Sequence, residues 1–127
     1  MHKILLFIPM YNCEKQIGRV LGRLTDEVCS YLSEVIIVNN RSTDNGEEAV
    51  QKYLSSHNLP IRVSLLRNKD NYGLGGSHKV AFDYAIKNEF DYVITLHGDD
   101  QGDISNLLPH LKSKEYEQYD RFLGARF

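Results

Sequence analysis

The 127-residue chain contains no tryptophan, only two cysteines and three prolines, and no block of Lys and Arg. Each shortage excludes something. Cys13 and Cys29 are too few to build the disulfide framework of a small secreted domain, so a reduced, cytoplasmic compartment is expected. No window reaches the roughly 18 apolar residues of a membrane span, so no transmembrane segment is expected in this chain. The apolar run from Lys3 to Ile8 is too short for a signal-peptide core, and Pro9 closes it. Fifteen basic residues against seventeen acidic give a net charge of −2 without clustering, which argues against a nucleic-acid partner. With 42% hydrophobic and 25% charged residues, disorder is excluded as well. The length fits one domain with a genuine core, small for an enzyme that must hold two substrates.

What is present is an alternation of apolar runs and helical stripes. Lys3–Ile8 reads as a central parallel strand covered on both faces, and Glu34–Val38, Ile61–Leu66 and Tyr92–Leu96 read as three more. Between them, Ile17, Val20, Leu21, Leu24, Val28 and Leu32 recur at helical spacing and predict one helix of about four turns. Asp44 and Glu47 form an expected capping box for a short helix buried through Ala49, Val50, Tyr53 and Leu54. His78, Ala81, Phe82, Ala85 and Ile86 predict the buried face of a further helix beginning near Ser77. Asn106 caps an expected last helix, and a fifth strand is expected to start at Arg121. The pattern implies a three-layer α/β/α fold with a mostly parallel sheet, whose ligand cleft lies at the carboxyl ends of the strands. Those ends carry Pro9–Asn12, Asn39–Asp44, Asn68–Gly76 and His97–Asp103, all polar.

A nucleotide is the common occupant of such a cleft, yet the familiar phosphate loops are missing. The turn after the first strand has no glycine, no Gly-x-x-x-x-Gly-Lys-Ser/Thr loop exists, and Gly73-Leu74-Gly75-Gly76-Ser77-His78 fails the dinucleotide pattern at His78. Instead, the fourth strand leads directly into His97-Gly98-Asp99-Asp100-Gln101-Gly102-Asp103. Carboxylates at a strand end suit a hard cation such as Mg²⁺ or Mn²⁺, which takes oxygen ligands from one or two carboxylates and from substrate phosphates. A solvated acidic turn is the plainer alternative.

Four segments together, Ile8–Asn12, Val35–Asp44, Asn71–Gly76 and Thr95–Gln101, make the chain resemble the family 2 glycosyltransferases of the GT-A fold, and among them the polyprenyl-phosphate transferases that include dolichyl-phosphate mannose synthase. The resemblance covers nearly the whole chain. It implies metal-dependent binding of a nucleotide-diphosphosugar donor and, in a complete protein, inverting transfer of the sugar. Similarity to that one branch implies a polyprenyl (lipid) phosphate acceptor at the cytoplasmic face of a membrane.

By the same resemblance, Pro9, Tyr11, Asn12 and Glu14 line the nucleotide pocket, Asn39 and Asn40 face the base or ribose, and Ser42, with Thr43 and Asp44, shapes the loop of the nucleotide site. Gly73 and Gly75 let the backbone approach the diphosphate, with Lys79 adding charge nearby. Gly98 and Asp99 complete the nucleotide set. Asp99, Gln101 and His97 are the implied metal ligands, and Arg126 faces an acceptor or donor phosphate. The chain departs from the family pattern where Asn39, Asn40 and Arg41 replace two aspartates and a glycine, where His97 replaces the first aspartate of the Asp-x-Asp signature, and where Cys13 replaces an acidic residue. The catalytic base is expected beyond Phe127, so the isolated chain is expected to bind donor with little or no transfer. Three other readings stay open: a regulatory domain that binds nucleotide sugars without turnover, a sugar-phosphate nucleotidyltransferase, and a flavodoxin-like partner domain.

Overall fold

The structure, a computed structural model, describes residues 3–68 and 73–96. The expected helix capped by Asn106 and the strand from Arg121 lie outside these residues. Four strands form one sheet, β1 (Ile4–Met10), β2 (Glu34–Asn39), β3 (Val63–Arg67) and β4 (Tyr92–Thr95), in the order β3-β2-β1-β4. Every pairing is parallel: Phe7 lies opposite Ile36 on one side and Thr95 on the other, and Ile37 opposite Leu65. All seven residues of β1 are buried, as a central strand covered on both faces requires.

Pro9 does not end β1, as expected from sequence, but lies within it, opposite Val38. Strand alternation explains the tolerance. Phe7 O accepts from Leu96 N on the β4 side and Met10 O accepts from Asn40 N on the β2 side. The N–H that Pro9 lacks would therefore point toward β4, beyond the end of the β1–β4 pairing, where no ladder bond is lost.

One face of the sheet carries Ile4, Leu6, Ile8, Met10, Val35 and Ile37, packed against Ile17, Val20, Leu21, Val28 and Val50. Those partners come from α1 (Ile17–Gly22), α2 (Asp26–Cys29) and α3 (Gly46–Ser56). The other face carries Leu5, Phe7, Ile36 and Val38 against Ala81 and Ala85 of α4 (Gly73–Lys87). The result is the expected three-layer arrangement.

The helices differ from the sequence reading in three ways. The single four-turn helix is broken in two, because Thr25 takes extended backbone angles and its hydroxyl accepts from Val28 N, starting α2 afresh with Asp26 and Glu27 in its first turn. The apolar stripe survives the break, since Ile17, Val20, Leu21, Leu24, Val28 and Leu32 are all buried. The Asp44–Glu47 capping box does not form: Asp44 Oδ1 accepts from Gly46 N, but Glu47 turns away to other partners. Finally, α4 starts at Gly73 rather than near Ser77, and it is rotated from the expected face. Ser77, Ala81 and Ala85 are buried beneath it, whereas Phe82 and Ile86 are exposed. Small residues let the helix lie close on the sheet, and the large ones are displaced to its flank.

Candidate functional site

Side chains of a strand alternate between its two faces, and this alternation organises the carboxyl end of the sheet. Asn39 and Arg67 continue the face of Val35, Ile37, Val63 and Leu65, toward α3. Asn40 and Asn68 fall on the opposite face, toward α4. The paired asparagines of the sequence are thus separated by the sheet itself, and each anchors its own network.

On the α3 side, Glu47 from the first turn of α3 accepts from Arg67 Nε with Oε2 at 2.7 Å and forms a second, short bond from Arg67 Nη2 to Oε1. The same Oε2 accepts from Asn39 Nδ2 at 2.5 Å. Asn39 Oδ1 in turn accepts from Ser42 N at 3.0 Å and from Ser42 Oγ at 2.6 Å. The Arg67 guanidinium holds the Glu47 carboxyl below the usual glutamate range, with the Asn39 amide and the charge of Arg41 acting in the same direction.

The loop after β1 is tied to the loop after β2 by crossed bonds. Asn12 N donates to Ser42 Oγ, and Asn12 Oδ1 accepts from Thr43 N at 2.8 Å and from Thr43 Oγ1. Glu14 N donates to Asp44 Oδ2 while Glu14 Oε1 accepts from Asn45 N, a reciprocal pair. Asn12 and Arg41 both adopt left-handed backbone angles, φ 54° and 62°, so each loop turns back sharply where it leaves its strand.

On the α4 side, Asn68 is 4% exposed and its Nδ2 bridges Asn40 Oδ1 at 2.9 Å and Ser77 Oγ at 3.1 Å. Its backbone N donates to Asn39 O. One amide therefore joins the ends of β2 and β3 to α4. His78 packs edge-on to Phe7 at 5.2 Å between ring centroids, fixing the next turn of the helix.

The expected site residues that are described fall at this one end of the sheet. Pro9 is buried in β1, Tyr11 is exposed just beyond it, and Asn12, Glu14 and Ser42 form the crossed loops. Asn39 and Asn40 are buried, with polar atoms engaged within the protein. Gly73 and Gly75 belong to the first turn of α4, whose N-terminal amides have no partners within the helix. Lys79 is exposed, a full turn deeper in the helix than expected, because α4 begins earlier. His97, Gly98, Asp99, Gln101 and Arg126 lie outside the described residues, although Leu96, immediately before them, is buried at the same end. Among the described residues, no group of three His, Cys, Asp or Glu side chains is placed to hold a metal. Sequence reasoning did not single out Arg67 or Asn68, and assigned Glu47 to the wrong task. Their partners are 20, 28 and 8 residues away in sequence, beyond any local pattern.

Comparison with known proteins agrees with this architecture. The model of glycosyl transferase family 2 matches residues 6–127, and the chain belongs to that family. No curated protein matches its sequence. Among solved structures, a mannosyltransferase from Pyrobaculum calidifontis in complex with GDP-Man and Mn²⁺ is 22% identical with a TM-score of 0.66, over 77% of this chain and 28% of its own. S. aureus TarS 1-349 in complex with UDP-GlcNAc is 23% identical with a TM-score of 0.71, over 98% and 36%. Glucosyl-3-phosphoglycerate synthase from Mycobacterium tuberculosis, in complex with Mn²⁺, UDP and glucosyl-3-phosphoglycerate, is 18% identical with a TM-score of 0.59, over 87% and 39%. The chain thus spans about a third of the length of these relatives. Among the described residues no helix is long and apolar enough to cross a membrane.

Proposed function

We propose that this chain forms the donor side of a glycosyltransferase: it binds a nucleotide-diphosphosugar together with a divalent cation, for inverting transfer of the sugar to an acceptor such as a polyprenyl phosphate. The observation that carries the reading is the convergence of the loops after β1 and β2, Asn68 at the end of β3 and the start of α4 at one end of an all-parallel sheet, in a member of family 2. Tyr11, Asn12, Glu14 and Ser42 border the nucleoside, with Pro9 setting the loop and Asn39 and Asn40 supporting the base and ribose from beneath. The N–H groups of the turn at Gly73 and Gly75 face the diphosphate, where the positive end of α4 favours an anion. Lys79 adds a more distant charge.

Asp99, Gln101 and His97 are the proposed cation ligands, with Gly98 leaving room for the diphosphate; the carboxylate and the amide oxygen suit Mn²⁺ or Mg²⁺, whereas the imidazole of His97 is the least matched of the three. The bound ion supplies neutralisation of charge on the departing nucleoside diphosphate. The chain's own part is to hold the donor so that its anomeric carbon is open to in-line attack, and to offer fixed dipoles to the leaving group. Arg126 is assigned to an acceptor or donor phosphate. The acceptor's proton is assigned to a base beyond Phe127, at the cytoplasmic face of a membrane if the acceptor is a lipid. Isothermal titration with UDP-, GDP- and CDP-sugars, with and without Mn²⁺, tests the reading. Cation-dependent binding that disappears in Asp99→Ala is the expected result; no binding of any sugar nucleotide by the wild-type chain refutes it.

A further inference from the structure

We propose that Glu47 is a positioning residue: its acceptor oxygen orients the Asn39 amide at the head of a hydrogen-bond chain that places the loops after β1 and β2, and so tunes donor affinity without touching the donor. The affinity part rests on the donor-site reading above. An ionised carboxylate only accepts, so the atom of Asn39 that faces Glu47 at 2.5 Å must be the amide nitrogen. That choice turns Asn39 Oδ1 the other way, where it takes both donors of Ser42. With its proton committed to Asn39, Ser42 Oγ has only lone pairs left for Asn12, and it accepts from Asn12 N at 3.1 Å. Glu47 and the Ser42 N–H thus hold the Asn39 amide in one orientation from its two sides, and Ser42 Oγ passes that constraint to the loop after β1.

Glu47 is itself held in place. Arg67 grips both carboxylate oxygens, and Arg41 adds a second positive charge nearby. Without that acceptor the Asn39 NH₂ loses its partner and the amide is held through Ser42 alone, so Asn39 shifts and the Ser42–Asn12 link loosens.

The test uses the full chain and three variants. In ¹⁵N NMR spectra without ligand, Glu47→Ala should move the backbone amide signals of Asn12, Ser42 and Thr43. Glu47→Gln, whose side-chain oxygen still accepts from Asn39, should leave them near their wild-type positions. In titrations with UDP-GlcNAc and GDP-mannose in Mn²⁺, Glu47→Ala should bind on the order of tenfold more weakly, the effect of one lost charge-assisted bond. Glu47→Gln should stay within about threefold of wild type by the same reasoning. Thr25→Ala, which removes the cap of α2 and touches none of these bonds, serves as the control for general destabilisation. If Glu47→Ala does not fold, Glu47→Met, similar in length and without a comparable acceptor, stands in for it. Unmoved loop signals in the variant lacking the acceptor overturn the proposal, as does an equal loss of affinity in Thr25→Ala. A wild-type chain that binds neither sugar nucleotide refutes the donor reading instead, and the loop signals then decide the positioning role alone.

Discussion

Replacing Asn68 by alanine should cost far more than its place at the end of an edge strand suggests. Asn68 is 4% exposed, and its Nδ2 is shared between Asn40 Oδ1 and Ser77 Oγ. Alanine removes two neutral hydrogen bonds of about 1 kcal/mol each and strips a donor from two buried oxygens, so a destabilisation of about 2–4 kcal/mol is expected. For a domain of this size that corresponds to a fall in Tm of roughly 10 °C. Urea unfolding followed by circular dichroism should show a lower midpoint at unchanged slope, the mark of lost stability rather than an altered unfolded state. A double-mutant cycle with Ser77→Ala should give a coupling of at least about 0.5 kcal/mol, since the two side chains touch. A change below about 0.5 kcal/mol for Asn68→Ala, the range of ordinary surface substitutions, would refute the bridge from β3 to α4.

Three more outcomes follow from the fold. Thr25→Ala should destabilise by about 1 kcal/mol through loss of the cap on α2, measured by the same urea titration. Cys29 is buried and its thiol is pushed above the ordinary range, first by burial and then by Asp26; together with buried Cys13 it should resist Ellman's reagent in the native protein, and both should react once urea unfolds the chain. The Glu47 carboxyl is held below the usual glutamate range in the folded state, so its stabilising contribution is complete above that range and is lost as pH falls through the folded-state value; Glu47→Gln should flatten this acid limb of a stability–pH profile.

The strands were readable because a parallel sheet covered on both faces demands unbroken apolar runs, and Ile4–Ile8 and Val35–Val38 supply them. The helices were read less well, for separate physical reasons. Periodicity reports which residues are buried and not whether the backbone between them is continuous, so the break before α2 was invisible to the stripe; Gly22 and the Thr25-Asp26-Glu27 cap signature were the available clues. On α4, residue size misled. Phe82 and Ile86 suggested the core, but contact with the sheet is made through Ser77, Ala81 and Ala85, while Tyr84 reaches Glu34 with its hydroxyl. At the candidate site the loops were identified from their polar composition, their place at the strand ends and the family resemblance, and most of their bonding was not. That Asn39 and Asn40 face opposite sides follows from strand alternation and could have been read in advance. The tie of Glu47 to Arg67 depends on β3 lying beside β2, which no local pattern records.

The crossed bonds between residues 12–14 and 42–45 bear on how this scaffold can be re-engineered. Asn12 and Glu14 give both a backbone N–H and a side-chain oxygen to the other loop, and that loop returns backbone and side-chain groups in kind. Neither loop carries its conformation alone. A graft that exchanges one segment for that of a relative with a different sugar nucleotide would present mismatched donors and acceptors to the resident partner. If these loops border the donor as proposed, the unit for transplantation in this chain is 11–14 together with 39–47.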